Sequence, residues 1–188
     1  MRKIYERKGK KCPNYMRVIA APTEENIAKM ANKNQLPTTS GGQQLGSTPI
    51  YNPTVPFVYK FSKGIESGKI FYISGMPSKT PKRITIDFKS GQDIAFHFDI
   101  RICYGDFRNV IVRNTRLSNG WGREESSLNG PFPFKEDEFF DIMILIESAS
   151  FKVAVNNQPL LEFMHRVPFH RIDTLHITGD VRLCQVRP

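Results

Sequence analysis

A histidine, an acid and an arginine alternate with apolar residues in the run IAFHFDIRI, residues 94–102. Successive side chains of a strand point to opposite faces, so the apolar positions share one face and the polar positions the other. The polar face then carries Ala95, His97, Asp99 and Arg101. An imidazole, a carboxylate and a guanidinium together offer both donors and acceptors of hydrogen bonds. The pattern predicts either an ordinary solvated strand face or the floor of a site for a polar ligand.

A second polar stretch, NGWGREESS, contains the only tryptophan of the chain, Trp121, between Gly120 and Gly122. Asn114 ends the strand pattern before it, and Glu124 follows three residues after the tryptophan. A lone tryptophan is usually a core residue, but this polar setting is poorly suited to a core. An exposed indole suits the apolar face of a sugar ring, whose hydroxyls need both donors and acceptors. We therefore expect an exposed Trp121 in a carbohydrate site.

Length and composition bound the fold. The 188 residues are 39% hydrophobic, include 14 Phe, and allow one ordinary domain with an extension. No stretch of about 18 apolar residues occurs, so we expect no membrane insertion. The start MRKIYERKGKKC is basic but lacks the apolar region of a signal peptide. The expected location is the cytoplasm, with the outside of the cell reached by non-classical secretion.

Charge and cysteines narrow the classes further. The net charge is +9. Residues 1–50 contain nine Lys/Arg and three Asp/Glu, a net charge of +6, and the remaining residues contain 18 Lys/Arg and 15 Asp/Glu, a net charge of +3. A short basic tail is more often a solvated arm than a specific nucleic-acid reader, so we expect no specific nucleic-acid binding. Cys12, Cys103 and Cys184 are odd in number and widely spaced. They favour a reducing compartment over a disulfide framework or a zinc site, and we expect neither metal nor cofactor.

Two regions differ in pattern. Residues 1–48 contain a candidate short helix with Thr23 as its N-cap, then a linker rich in Gly, Ser, Thr, Pro and Gln. This basic extension cannot bury enough apolar surface to fold alone, and we expect it to be largely disordered. Residues 49–188 read as short strands divided by turns, and Asn156-Asn157 predicts a tight hairpin. About ten strands without a convincing helix predict an all-β, antiparallel two-sheet β-sandwich that folds alone.

The strand patterns of this region share alternating or continuous apolar residues. They cover residues 69–74, 83–88, 94–102, 109–114, 139–147, 151–155, 160–164, 174–178 and 181–186.

In order and spacing, the motifs HFDIR, VRN and WGREES resemble the galectin signature H-F-N-P-R, V-x-N and W-G-x-E-x-R. The later stretches FKVAVNNQPLLEFMHRVP and LHITGDVRL resemble further strands of the same family. The resemblance covers about residues 49–188. It implies a lectin with a jelly-roll-like sandwich that binds β-galactoside glycans of glycoproteins or glycolipids without a metal.

The resemblance also implies a role for each matching residue. His97 and Arg101 would bind the axial hydroxyl of galactose, and Arg101 would also reach the ring oxygen. Asn114 and Glu124 would take the primary hydroxyl, and Trp121 would stack under the apolar face of the sugar.

Two departures from the family pattern bear on affinity. Asp99 stands where the family has Asn, and its charge is expected to pair with Arg101. Ser126 stands where the family has the final Arg, and it is too short to reach a second sugar. Arg123, three residues earlier, is the candidate substitute, and Ile100 replaces the family's Pro. These departures predict weak or altered binding, made useful by a homodimer or a second linked lectin domain.

Three other functions remain open. Asp99 and Glu124 would be the paired carboxylates of a glycosidase. Neither sits in an obviously apolar pocket that would raise its pKa, so we do not expect an enzyme. A galectin-fold protein-interaction module that has lost sugar binding is the main alternative. Nucleic-acid binding through the basic tail is the third, weakened by the presence there of only Tyr5 and Tyr15 for stacking.

Overall fold

The structure, a computed structural model, describes residues 48–118 and 120–188. The short helix and the linker expected in residues 1–47 lie outside these described residues. The domain boundary after residue 48 therefore stays a prediction.

The described part of the chain is built from twelve strands and one 3-10 helix, Phe169–Arg171, between the tenth and eleventh strands. The strands in chain order are β1 Ile50–Tyr51, β2 Phe57–Lys60, β3 Ile70–Pro77, β4 Arg83–Ser90, β5 Asp93–Tyr104, β6 Phe107–Leu117, β7 Gly120–Trp121, β8 Phe140–Ile146, β9 Ser150–Val155, β10 Gln158–Met164, β11 Thr174–Gly179 and β12 Val181–Arg187. Each strand pattern predicted from the sequence corresponds to one of these, with ends shifted by a few residues. The strands β1, β2 and β7 were not predicted.

Two six-stranded antiparallel sheets form the sandwich. The first has the order β1-β12-β3-β8-β9-β10, and the second has the order β2-β11-β4-β5-β6-β7. The predicted all-β sandwich is confirmed. Strands β4 to β7 are neighbours in the second sheet, so the motifs HFDIR, VRN and WGREES come together at that sheet although they are separated along the chain.

Phenylalanines fill the space between the sheets. Phe96 from β5 stacks on Phe151 from β9 with ring centroids 4.4 Å apart and on Phe163 from β10 at 5.1 Å. All three are fully buried. Burying such a side chain contributes about 1.5–3 kcal/mol, so this stack ties the two sheets together. The greasy face predicted for residues 94–102 is thus the core face of β5.

One detail of that prediction is wrong. Ala95 was expected on the polar face, but it is buried in the main core cluster, to which Ile94 does not belong. The pairing of β5 with β4 shifts between Phe88 and Lys89, and its pairing with β6 shifts between Ile94 and His97. An extra residue in one strand of a pair interrupts the alternation of faces. From residue 96 onward the alternation follows the prediction.

The hairpin between β9 and β10 turns at Asn156 and Asn157, with φ of 51° and 62°. Two successive left-handed residues are what a two-residue hairpin turn requires, and asparagine tolerates that region. The predicted turn is confirmed.

The cysteines depart from expectation. Cys184, on β12, is disulfide-bonded, whereas Cys103 is free and exposed. The expectation against a disulfide is therefore wrong for Cys184, because spacing along the chain does not reveal which thiols meet in space. Within the described ranges, no helix has the length and apolar character needed to span a bilayer.

Candidate functional site

The polar face of β5 lies between two strands that complete it. Asp87 of β4 and Asn114 of β6 flank His97, since both pair with it in register. Arg83 of β4 pairs with Arg101 in the same way. Directly opposed residues of antiparallel strands share a face. The sheet therefore brings these five side chains onto one surface.

Asp99 is the centre of this surface and is completely buried. Arg83 donates two hydrogen bonds to its carboxylate, from Nε to Oδ1 at 2.6 Å and from Nη2 to Oδ2 at 2.9 Å. Arg101 donates a third from Nε to Oδ2 at 2.7 Å. The predicted pairing of Asp99 with Arg101 is present, together with a bidentate partner that was not predicted. This polar face is closed by its own ion pairs rather than solvated.

The protonation of Asp99 follows from these contacts. Burial raises the pKa of its carboxyl, but contacts with His97 and with the two arginines lower it by more. The net result is a pKa well below the usual range. Asp99 is therefore a carboxylate at neutral pH and accepts hydrogen bonds only.

His97 lies between two carboxylates and the indole. Its Nδ1 is 2.5 Å from Asp87 Oδ1, and its Nε2 is 3.7 Å from Asp99 Oδ2. Burial lowers the pKa of His97, but the interactions with the two acids outweigh it and raise the pKa above the ordinary value. A protonated imidazole donates from both nitrogens. Both ring nitrogens of His97 are thus directed at acids, and Nε2 also lies 3.4 Å from Arg83 Nη2.

Trp121 is half exposed, at 51%, which confirms the expectation drawn from its sequence setting. Its ring centroid is 4.8 Å from that of His97, with the two planes tilted by 53°. The short strand β7 pairs it with Arg116 of β6. An indole held by backbone pairing, with one side open to water, is a ready platform for an apolar ligand face.

Arg101 is held on three sides. Besides Asp99, its Nη2 meets Glu124 Oε1 at 3.4 Å. Its guanidinium lies over the ring of Phe107, 4.4 Å from the centroid. Glu124 itself is exposed, so its carboxylate is accessible to solvent. The structure thus brings Arg101 and Glu124 together, a contact that was not predicted.

Asn114 is buried and holds the loop after Trp121 in place. Its Nδ2 donates to the carbonyl oxygen of Gly122 at 2.9 Å, and its Oδ1 accepts from Arg166 Nη1 at 3.2 Å. A Cβ at position 122 would lie 3.2 Å from Asn114 Oδ1 and 3.0 Å from Arg166 Nη1, so glycine permits this close approach. Arg166 continues to Glu125, donating from Nη2 to Oε1 at 2.6 Å.

Arg123 and Ser126 lie in the same loop and are exposed. Neither side chain makes a hydrogen bond or an ion pair with a residue that the structure describes. Ser126 therefore leaves open the position where a longer side chain would project. The described residues contain no group of three or more His, Cys, Asp or Glu arranged to hold a metal ion.

The family model described as galactoside-binding lectin matches residues 56–187, almost the whole described part of the chain. This chain belongs to the galectin family. Galectin-4 of Bos taurus is 35% identical over 142 residues, 73% of this chain and 41% of that protein. Galectin-3 of Canis lupus familiaris is 40% identical over 131 residues, 69% of this chain and 43% of that protein. The chain thus spans less than half the length of either relative.

The fold comparison agrees with the family. The crystal structure of Caenorhabditis elegans galectin LEC-6 matches with a TM-score of 0.67 at 21% identity, covering 74% of this chain and 94% of that one. Sheep galectin-11, in a complex with glycerol, matches with a TM-score of 0.61 at 25% identity, covering 70% and 95%. The two-sheet architecture of this chain is that of galectins.

Sequence reasoning missed three residues of this galectin's site. Arg83 and Asp87 share a face in the strand RITIDF, and the Ser90-Gly91 turn makes that strand the hairpin neighbour of β5. That signal was available. Arg166 lies 52 residues from its partner Asn114, and nothing in their separation along the chain points to the contact.

Proposed function

We propose that this galectin binds β-galactosides on the face formed by β4 to β7, with weak affinity at a single site. The observation that carries the proposal is the exposed Trp121 beside His97, with Glu124 and Arg101 paired on the same surface. An apolar platform ringed by donors and acceptors matches a pyranose ring.

Weak affinity follows from how Arg101 is held. Its Nε is committed to the buried carboxylate of Asp99, and its Nη2 points to Glu124. Ser126 adds no charged donor for a second sugar. A hydrogen bond to a charged group contributes about 1.5–3 kcal/mol, so each missing one weakens binding by roughly ten- to a hundredfold. We infer a Kd for lactose in the high-micromolar range or weaker.

The first test measures lactose binding by calorimetry on the wild type and on Asp99→Asn, Ser126→Arg and the double variant. Asn removes the charge that holds Arg101, and Arg at position 126 adds a donor. Each change should tighten binding by on the order of 1–2 kcal/mol. Ser126→Ala is the matched control and should bind like the wild type. A double variant no tighter than wild type would show that these two positions do not limit the site.

The second test replaces Trp121 by alanine. Because the indole is half exposed and packs on one ring only, we expect stability to change by less than about 1 kcal/mol, as for a surface position. Binding to lactose–agarose should be lost. Circular dichroism reports the fold, and an unfolded variant would assign Trp121 to the core instead.

A protein-interaction module that has lost sugar binding is the second candidate. It is favoured by the internal ion pairs of Arg83, Asp99 and Arg101, which leave less of the polar face for a ligand. Retention of the wild type on lactose–agarose with elution by free lactose supports the lectin. Flow-through of both the wild type and Asp99→Asn supports the module.

Glycoside hydrolysis is not proposed. Of the two carboxylates of such a pair, Asp99 is completely buried and both its oxygens accept hydrogen bonds from arginines, so it is not open to a substrate. Incubation with a chromogenic β-galactoside should release no dye.

Because single sites are weak, we infer that useful avidity comes from multivalency, through a homodimer or a second linked lectin domain. The galectin-4 and galectin-3 relatives are more than twice as long as the regions that match this chain. We keep both expected locations as proposals, the cytoplasm and, by non-classical secretion, the outside of the cell.

A further inference from the structure

The tip of the β5–β6 hairpin carries two aromatic rings that do not belong to the core. Tyr104 and Phe107 pair with each other across Gly105 and Asp106, and both are exposed, at 42% and 44%. The guanidinium of Arg83 lies 4.7 Å from the Tyr104 ring centroid. Phe107 holds the same relation to Arg101 at 4.4 Å. The tip therefore lies against the polar face.

Strand alternation does not predict this arrangement. Counting from the core residue Ile100, Tyr104 has the parity of the core face, and Phe107 shares it as the paired residue. Both rings instead contact arginines of the opposite face. Asn109, just after the tip, takes a φ of 54°, which marks a departure from extended strand geometry on this side of the hairpin.

The position of Phe107 relative to Trp121 decides what it can do. Trp121 packs beside His97, at one end of the polar face. Arg101 is four residues further along β5, but its side chain turns back toward His97. Its Nε lies 2.7 Å from Asp99 Oδ2, the atom that His97 Nε2 approaches to 3.7 Å. A galactose stacked on Trp121 would therefore be within reach of the Arg101 guanidinium, and Phe107 covers that guanidinium from the hairpin tip.

We propose that Phe107 is a specificity-determining residue, which makes this galectin prefer β-galactosides carrying an aromatic or otherwise apolar aglycone over those carrying a second polar sugar. The proposal rests on the proposed function. Phe107 covers one face of the Arg101 guanidinium, while Asp99 and Glu124 engage its edge. The group attached to the galactose thus meets an aromatic ring at a place where an open guanidinium would bind hydroxyls.

Ser126 strengthens the same preference, because its short side chain leaves the neighbouring side of this subsite without a charged donor. An apolar group loses little by leaving water and gains contact with the Phe107 ring. A second sugar gives up hydration of its hydroxyls and finds few free partners.

The experiment compares methyl β-galactoside, phenyl β-galactoside and lactose by calorimetry on the full 188-residue chain. In the wild type, phenyl β-galactoside should bind about three- to tenfold tighter than methyl β-galactoside, the range expected for one aromatic contact. Lactose should bind no tighter than methyl β-galactoside. In Phe107→Ala the ratio of the affinities for phenyl and methyl β-galactoside should fall toward one. Lactose should bind to this variant several-fold tighter than to the wild type.

Two further variants make the result specific. Phe107→Leu keeps an apolar side chain but removes the ring, and should retain only part of the phenyl preference. Tyr104→Ala removes the companion ring over Arg83 and should leave the preference unchanged. Thermal melting of each variant verifies folding.

The two levels of the proposal fail differently. A phenyl-to-methyl ratio that is the same in wild type and Phe107→Ala, with galactoside binding retained, overturns the role of Phe107 alone. No binding of any of the three ligands by wild type, Phe107→Ala or Asp99→Asn overturns the proposed function as well.

Discussion

The second sheet carries two ion-pair clusters, and they bury opposite charges. The Asp99 cluster consists of Arg83, Asp87, His97, Asp99 and Arg101. The Glu125 cluster consists of Arg113, Asn114, Glu125 and Arg166. In the Asp99 cluster the fully buried group is an acid, Asp99. In the Glu125 cluster it is a cation, since the side chain of Arg113 is 2% exposed while that of Glu125 is 40% exposed.

The buried groups also differ in how well they are satisfied. Both carboxylate oxygens of Asp99 accept strong hydrogen bonds from arginine. Arg113 pairs with Phe98 across the strands and so lies on the core side of the sheet. Its Nη2 reaches Ser127 only at 3.5 Å, and its Nε and Nη1 are buried without a hydrogen-bond partner among the described residues. The buried carboxylate of the Asp99 cluster is thus fully hydrogen-bonded, whereas the buried guanidinium of the Glu125 cluster is not.

Removing one partner of a buried ion pair strongly destabilises a protein, whereas replacing a buried charge by a well-packed apolar side chain is often neutral or stabilising. The comparison therefore predicts a large loss of stability when Asp99 is truncated and little or no loss when Arg113 is replaced by an apolar residue.

The largest effect is expected for Asp99→Ala. It leaves Arg83 and Arg101 facing each other without their shared acid, and breaking a buried pair in this way typically costs about 3–5 kcal/mol. Urea unfolding followed by far-UV circular dichroism measures it. Asp99→Asn, which keeps the shape and one acceptor, should lose clearly less. A loss below about 1 kcal/mol for Asp99→Ala would mean that water replaces the carboxylate and that the cluster is not closed.

A much smaller effect is expected for Arg113→Met. Methionine has a similar length and flexible packing, and the change removes two buried nitrogens that have no partner. Glu125 keeps its ion pair with Arg166. The free energy of unfolding should stay within about 1 kcal/mol of wild type or rise. A loss as large as that of Asp99→Ala would remove the distinction between the clusters.

The smallest effect is expected in the pH dependence of the free energy of unfolding. The contribution of His97 should have the opposite sign to that of His165, because two acids surround His97. The pKa of His97 is raised above 6.5, so its protonation stabilises the fold below pH 6.5, and this contribution is lost as pH rises through the folded-state pKa. Burial lowers the pKa of His165, although a hydrogen bond with the Glu147 carbonyl opposes it. The fold therefore loses stability as pH falls from 6.5 through the folded-state pKa of His165, because the unfolded chain takes up the proton more readily.

The measurement compares unfolding free energies of His97→Gln and His165→Gln with wild type from about pH 5.5 to about pH 8.5. The gap between His97→Gln and wild type should narrow toward high pH, and the gap for His165→Gln should widen. Gaps that move in the same direction would show that His97 is not held by its two acids.

Much of the sandwich could be predicted from the sequence because its strands carry their own signal. The alternation in residues 83–88 and the two asparagines after β9 are local features, and local features are what a sequence displays. The edge strand β2 was missed because it is four residues long and follows a proline. The placement of Ala95 was wrong because a shift in strand pairing depends on the partner strands.

The candidate site was predictable as a set of residue types and much less as a set of contacts. His97, Arg101 and Trp121 stood out by chemistry and by resemblance. The bidentate grip of Arg83 on Asp99 depends on strand register and on rotamers. Phe107 even contacts Arg101 on the face opposite to the one that strand alternation predicts for it. Such contacts come from the packed sheet, and they decide affinity and preference.

The exposure of Trp121 has a consequence for anyone who studies this protein by spectroscopy. Tryptophan emission is usually read as a reporter of the core, but here the only indole of the chain is half in water before unfolding begins. Apart from Tyr72, the buried aromatic side chains that the structure describes are phenylalanines, whose emission is faint. A denaturation curve followed by fluorescence would thus record the local fate of one surface loop. Agreement with circular dichroism has to be demonstrated before such a curve is read as global unfolding.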